Sequence, residues 1–155
     1  MSEDARFEDG REAPLRLRAE DGEDLKILAA LVQDAVFPVS EIAWDRRRRR
    51  FALLLNRFRW EDKSARHAAE RVQSVLAIDD VVKVASQGVD RRDTDIVLSL
   101  LTIDFEPGED GTGRLVLTLA GDGAIAVDVE TLDLTLQDVT RPYLAPSGKA
   151  PGHPE

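Results

Sequence analysis

Five consecutive arginines, Arg46, Arg47, Arg48, Arg49 and Arg50, are the residues of this chain best equipped to grip a partner. A guanidinium presents a planar fork of donors that matches phosphate or carboxylate, and five in a row cannot all be buried. Arg57, Arg59 and Lys63 follow closely, completing an expected anion-binding set of eight cations. Trp44, Phe51, Phe58 and Trp60 are interleaved with it and offer faces on which a base or ring could stack. The competing reading is a solvated hairpin loop, with the aromatics on an alternating core face and the arginines adding solubility or pairing with acids elsewhere.

Other chemistry has less to stand on. Glu106, Glu109 and Asp110 lie in a glycine-rich turn where a hard cation could collect, but their spacing does not match an EF-hand loop. Asp45, Asp79, Asp104 and Asp133 each follow an apolar residue and could supply paired carboxylates for acid–base work, or simply face outward at strand ends. No Gly-x-Ser-x-Gly elbow, Walker sequence or Gly-x-Gly-x-x-Gly turn is present. His67, in an alanine-rich polar stretch, and His153, in a proline-rich tail, are not placed like general bases. No catalytic residue, metal ligand or cofactor is therefore expected. The chain has no cysteine, which removes disulfides and thiolate chemistry and fits a reducing compartment.

Charge is unevenly spread. The 155 residues carry 21 Lys or Arg against 30 Asp or Glu, a formal −9. Between Arg46 and Arg71 there are ten basic residues and three acids, so a +7 segment sits in an acidic chain. The acidic start and the short apolar runs predict no signal peptide and no membrane span, hence a soluble, cytoplasmic protein.

The elements that must position these groups read as one domain. Residues 1–13 are polar and expected to form a flexible arm, and residues 144–155 a flexible tail rich in proline and glycine. Between them, 14–143 reads as a single α+β domain of mostly antiparallel sheet, either barrel-like or two-layered, with one principal N-terminal helix. Leu15 and Leu17 alternate as in a short strand. Asp21 then caps a helix with Leu25, Leu28, Ala29 and Val32 on its inner face, widened by Ile27 and Leu31 and ended by Pro38. Ile42 and Trp44, then Phe51, Leu53 and Leu55, alternate on either side of the arginines. After Leu55 the large groups move to Phe58 and Trp60, the phase slip of a β-bulge. Further strands are expected over 96–105, 115–119 and 125–139, with a tight turn at Gly121, Asp122 and Gly123 and a looser one over 107–113.

Residues 62–78 fit helix or strand. Val75-x-x-Ile78-Asp79 resembles Val129-x-x-Leu132-Asp133, which raises the idea of two similar β halves and tips 71–85 toward strand. The expected core is Leu25, Leu28, Val32, Trp44, Phe51, Leu53, Ile78, Leu98, Leu100, Ile103, Leu117, Leu119, Val127, Val129 and Leu132.

The segments Arg71-Val72-Gln73-Ser74-Val75-Leu76, Val84-Ala85-Ser86-Gln87-Gly88-Val89-Asp90 and Leu98-Ser99-Leu100-Leu101-Thr102-Ile103, with 125–139 ending in Leu136-Gln137-Asp138-Val139, resemble an alphaproteobacterial family, domain of unknown function number 2948. The resemblance implies a small bacterial cytoplasmic protein and brings no catalytic residues. Three functions follow as expectations: a non-enzymatic binding or assembly module with a protein partner or a second copy; nucleic-acid or polyanion binding through the arginine loop; and a carboxylate-based enzyme on a small substrate.

Overall fold

The computed structural model describes residues 14–58 and 70–140, together with the backbone of 143–144. The expected arm, most of the tail, and Arg59, Trp60, Lys63, His67 and His153 lie outside the described residues.

The chain enters through β1 (Arg16–Ala19) and turns into α1 (Gly22–Leu31). Asp21 stays extended and its carboxylate accepts from the Asp24 amide at 2.8 Å, filling one of the free donors of the first turn. Leu25, Leu28 and Val32 are buried. Ile27 is 57% exposed: it lies about 100° around the helix from Leu28, so the inward face is narrower than expected. Nor does Pro38 end the helix. The chain leaves it after Leu31, with Asp34 turning through a left-handed φ of 63°, and Pro38 closes a short strand, β2 (Val36–Pro38).

A single turn of 3-10 helix leads to β3 (Ile42–Asp45), which pairs with β4 (Arg50–Phe58), Asp45 facing Arg50. β4 pairs along its other edge with β5 (Glu70–Ile78), so the described part of 62–78 is strand. Their register is unbroken from Phe51 opposite Ile78 to Phe58 opposite Arg71. The expected bulge is therefore absent. The core phase of Phe51, Leu53 and Leu55 continues onto Arg57, while Phe58 is buried on the opposite face with the Arg71 guanidinium 4.6 Å above its ring.

β6 (Val81–Gln87), β7 (Val97–Pro107), β8 (Gly113–Leu119), β9 (Ala124–Val129) and β10 (Leu134–Asp138) complete the main path; β11 (Tyr143–Leu144) adds to β5. The order is β1-β10-β5-β4-β2-β7-β8-β9-β6, with β3 beside β4. Two expected strands are each two. Segment 71–85 breaks at Asp79 and Asp80, the latter at a φ of 57°, and segment 125–139 breaks between Val129 and Leu134. The breaks lie side by side, with the Asp79 amide on the Asp133 carbonyl at 3.0 Å and the Glu130 amide on the Asp80 carbonyl at 2.9 Å. The two candidate repeat segments thus form one antiparallel ribbon, β5 with β10 and β6 with β9, that bends from one layer of sheet into the other. Bulges occur instead between Val81 and Lys83 and between Leu100 and Thr102.

The expected tight turn is present, with Gly121 and Asp122 both at positive φ in the short loop between Leu119 and Gly123, whose carbonyl accepts from the Leu119 amide at 2.8 Å. Leu53, Leu76 and Leu136 from one layer and Ile103, Leu117 and Val127 from the other meet in one core, which α1 joins through Leu28. Trp44 and Leu98 are only half-buried at its margin. The sheet does not close into a barrel, because its path ends at β1 and β6 and strand pairing does not bridge β3 to β6.

Candidate functional site

The four-residue turn 46–49 is held by its own backbone and by the far ribbon. Asp45 Oδ1 accepts from the Arg48 amide at 3.1 Å and the Arg46 carbonyl from the Arg49 amide at 3.3 Å. Arg49 takes a left-handed φ of 57°, which aims its carbonyl at the start of β6, where the Val81 amide donates at 2.9 Å. Its side chain follows, Nη2 lying 2.7 Å from Glu130 Oε1.

The five arginines therefore divide. Arg50 turns back across β5 and gives Asp79 a two-pronged contact, Nε to Oδ1 at 2.8 Å and Nη2 to Oδ2 at 3.3 Å. That hydrogen bond, reinforced by charge, raises the Arg50 pKa above its already high ordinary value. Arg48 is strongly exposed and 3.8 Å from Asp45. Arg46 and Arg47 make no ion pair with any described residue. Of the other expected cations, Arg59 and Lys63 lie outside the described residues, and Arg57 leaves the set altogether.

Arg57 is fully buried. Its Nη2 donates to both carboxylate oxygens of Asp138 at 3.0 Å, its Nε to Ser74 Oγ at 3.0 Å and to Asp138 Oδ1 at 3.2 Å, and its Nη1 to the Phe58 carbonyl at 3.2 Å. Ser74 Oγ donates to Asp138 Oδ1 at 2.6 Å, and the Leu15 amide to Oδ2 at 2.8 Å. This clasp joins β4, β5, β10 and the entry to β1. No anion reaches a guanidinium so enclosed.

Beside the arginine turn lies a cleft of about 490 Å³, lined by Trp44, Arg46, Arg49, Val81, Val82, Lys83, Val84 and Glu130. It adjoins a recess of about 40 Å³ that shares Trp44 and Val84 and adds Ile42, Phe51, Ala85, Ser86, Val89, Arg91 and Ile125. Arg46 and Arg49 thus stand beside an aromatic-walled concavity, while Arg47 and Arg48 are exposed on the turn. Lys83 and Arg91 were not foreseen as site residues. Nothing near them in sequence marks them, since β3 meets β6 only through the bend of the ribbon.

Both strands facing this cleft have an open edge. Among the described residues β3 pairs with β4 alone and β6 with β9 alone. A strand edge carries unpaired amides and carbonyls in a fixed row. The site therefore offers three things together: a half-buried indole, guanidinium and ammonium groups around it, and backbone donors and acceptors.

The carboxylates are arranged for a different task. Asp79 and Asp133 are neighbours across the ribbon, but each is held by an arginine, Arg50 on Asp79 and Arg18 on Asp133 at 3.0 Å. Asp104 is exposed. Glu106, Glu109 and Asp110 are exposed at the β7–β8 turn, and no group of three metal-ligating side chains occurs among the described residues. On β8 and β9, Arg114 faces Asp128, with Nε 2.7 Å from Oδ1. The Arg114 hydrogen bond holds the Asp128 carboxyl below its ordinary pKa and raises that of Arg114. No described helix is long and apolar enough to cross a membrane.

The family described as "Protein of unknown function (DUF2948)" matches residues 15–153. No curated protein and no solved structure matches the chain.

Proposed function

The chain belongs to the DUF2948 family, and from that premise we propose that it is a non-enzymatic binding module taking an anionic ligand in the cleft between β3 and β6. One observation carries the reading: Trp44 walls both the cleft and its recess while Arg46, Arg49, Lys83 and Arg91 surround it, in a chain whose formal charge is −9. Cations gathered around one indole give an acidic protein a local positive patch, to which an anion is drawn while the rest of the surface repels it. Arg46 has no carboxylate partner among the described residues and supplies the first contact, while Arg49, tethered to Glu130, fixes the wall. A non-enzymatic role is favoured because the two carboxylates that come together, Asp79 and Asp133, are each committed to an arginine. A bacterial cytoplasm, in an alphaproteobacterium, is the setting that the family resemblance and the lack of cysteine favour.

The test uses the Trp60→Phe variant, which leaves Trp44 as the one remaining indole of the two in the chain. Octaglutamate and an eight-nucleotide oligothymidylate are titrated at low ionic strength. At least one shifts Trp44 emission, with an affinity that falls steeply as salt rises. The triple change Arg46→Ser, Lys83→Ser, Arg91→Ser weakens that binding by about tenfold or more, roughly half a kcal/mol or more for each screened cation lost. If neither probe, nor a peptide with glutamate at alternate positions, perturbs Trp44, the reading fails.

A further inference from the structure

We infer that the anion is carried by an extended acidic peptide segment of a partner protein, which adds as a strand to the open edge of β6. The inference rests on the cleft being an anion site and names what fills it.

Three features of β6 point to a peptide. Its first part is defended in the usual manner of edge strands, with a bulge between Val81 and Lys83 and the lysine itself. Beyond that, Val84, Ala85, Ser86 and Gln87 keep strict register with Val127, Ala126, Ile125 and Ala124, carry no charge, and have no strand on their outer edge among the described residues. A regular, neutral stretch of edge is what another strand can pair with. A nucleic acid has no row of amides and carbonyls to complete it.

The alternation of an incoming strand then matches the walls. One set of side chains faces the recess, which at about 40 Å³ admits a small aliphatic or hydroxyl group and not a ring. The other set faces away from the recess, toward the wider cleft where Arg46 and Lys83 favour carboxylates, while Arg91 lines the recess itself. A few carboxylates suit this rim better than a continuous polyanion, since Glu130 and the strongly acidic remainder of the chain repel the latter. A second copy of the chain is disfavoured on the same ground. Pairing β6 with β6 about a two-fold axis brings two basic rims and two −9 molecules together.

The experiment uses the full chain carrying Trp60→Phe and a panel of eight-residue peptides with Glu at alternate positions and Val, Ser or Phe between them. Peptides with Val or Ser bind more tightly than those with Phe, and those amides among residues 84–87 that point away from β9 exchange more slowly with solvent in the complex. N-methylating one alternate set of peptide nitrogens, the set that donates to β6, weakens binding by about tenfold or more, while methylating the other set does not. Equal loss from both sets, or from neither, overturns strand addition. So does binding of the oligothymidylate with none of the peptides, in which case the anionic cleft stands and only its occupant changes. Sedimentation showing a dimer that the peptides do not dissociate assigns the edge to a second copy and also overturns the inference. If neither the peptides nor the oligothymidylate shifts Trp44 emission, this inference and the anion-site reading fall together.

Discussion

Arg57 and the run 46–50 set the same side chain in opposite surroundings, and the contrast separates what holds this fold from what it presents. At Arg57 the guanidinium is sealed in, and both Asp138 oxygens, the Ser74 hydroxyl and the Phe58 carbonyl are arranged around it. At the turn, partners are sparse and wet, the closest being Glu130 and Asp79, themselves partly open to solvent. Desolvation makes the first arrangement brittle, because removing either partner strands the other charge in the interior. Solvent makes the second tolerant and leaves it free to exchange partners. A salt bridge is thus informative here through the water it excludes.

The comparison is sharpest at the clasp. Asp138→Ala leaves Arg57 buried without its carboxylate and is expected to cost about 3–5 kcal/mol, read from urea denaturation. Replacing both partners together, Arg57→Leu with Asp138→Leu, is expected to be less damaging than Asp138→Ala alone by about 2 kcal/mol or more, since no lone charge remains. A double variant as unstable as the single one would mean that geometry, and not charge burial, is what the clasp supplies. Arg50→Ala, which breaks the half-exposed contact with Asp79, is expected to cost about 0.2–1 kcal/mol in the same assay. Arg46→Ser with Arg47→Ser is expected to leave stability within about 0.5 kcal/mol while reducing anion binding, and a larger loss of stability would place the turn with the clasp.

The smallest effect is expected from the pair of Arg114 and Asp128. Because the folded Asp128 carboxyl is held below its ordinary value of 3.8, its contribution is present above that value and is lost as pH falls through the lower folded value. Urea midpoints followed into acid are expected to fall slightly less steeply in Asp128→Asn than in the parent.

Local features were legible because their causes are local. Asp21 capped the helix as its position indicated, and the turn of Gly121 and Asp122 and the strands flanking the arginines followed from residue type and alternation. Arg57 was misread for an instructive reason. Strand alternation placed it in the core phase after Phe51, Leu53 and Leu55, and an arginine there reads more readily as a slip of register than as a buried cation. The clue lay elsewhere: Ser74 and Asp138 also occupy core-phase positions, opposite one another and in line with Leu76 and Leu136, and Arg57, diagonal to Ser74 on the same face, is long enough to reach both. The cleft was not legible. Trp44 and Lys83 meet only because two strands far apart in sequence bend at Asp79 and at Glu130, and no spacing encodes which layer each half enters.

The pairing of β1 with β10 has a consequence for synthesis. Leu15 is hydrogen-bonded to Asp138 across 123 positions, so the partner that completes β1 leaves the ribosome only after every other strand of the main path. Until then β4 and β5 have only each other and β2 with β3, and the inward faces of both layers await the hairpin of β8 and β9. Until β10 emerges the nascent chain therefore carries unpaired edges and uncovered leucine and valine faces, a form vulnerable to self-association and suited to chaperone attention before the ribbon zips shut.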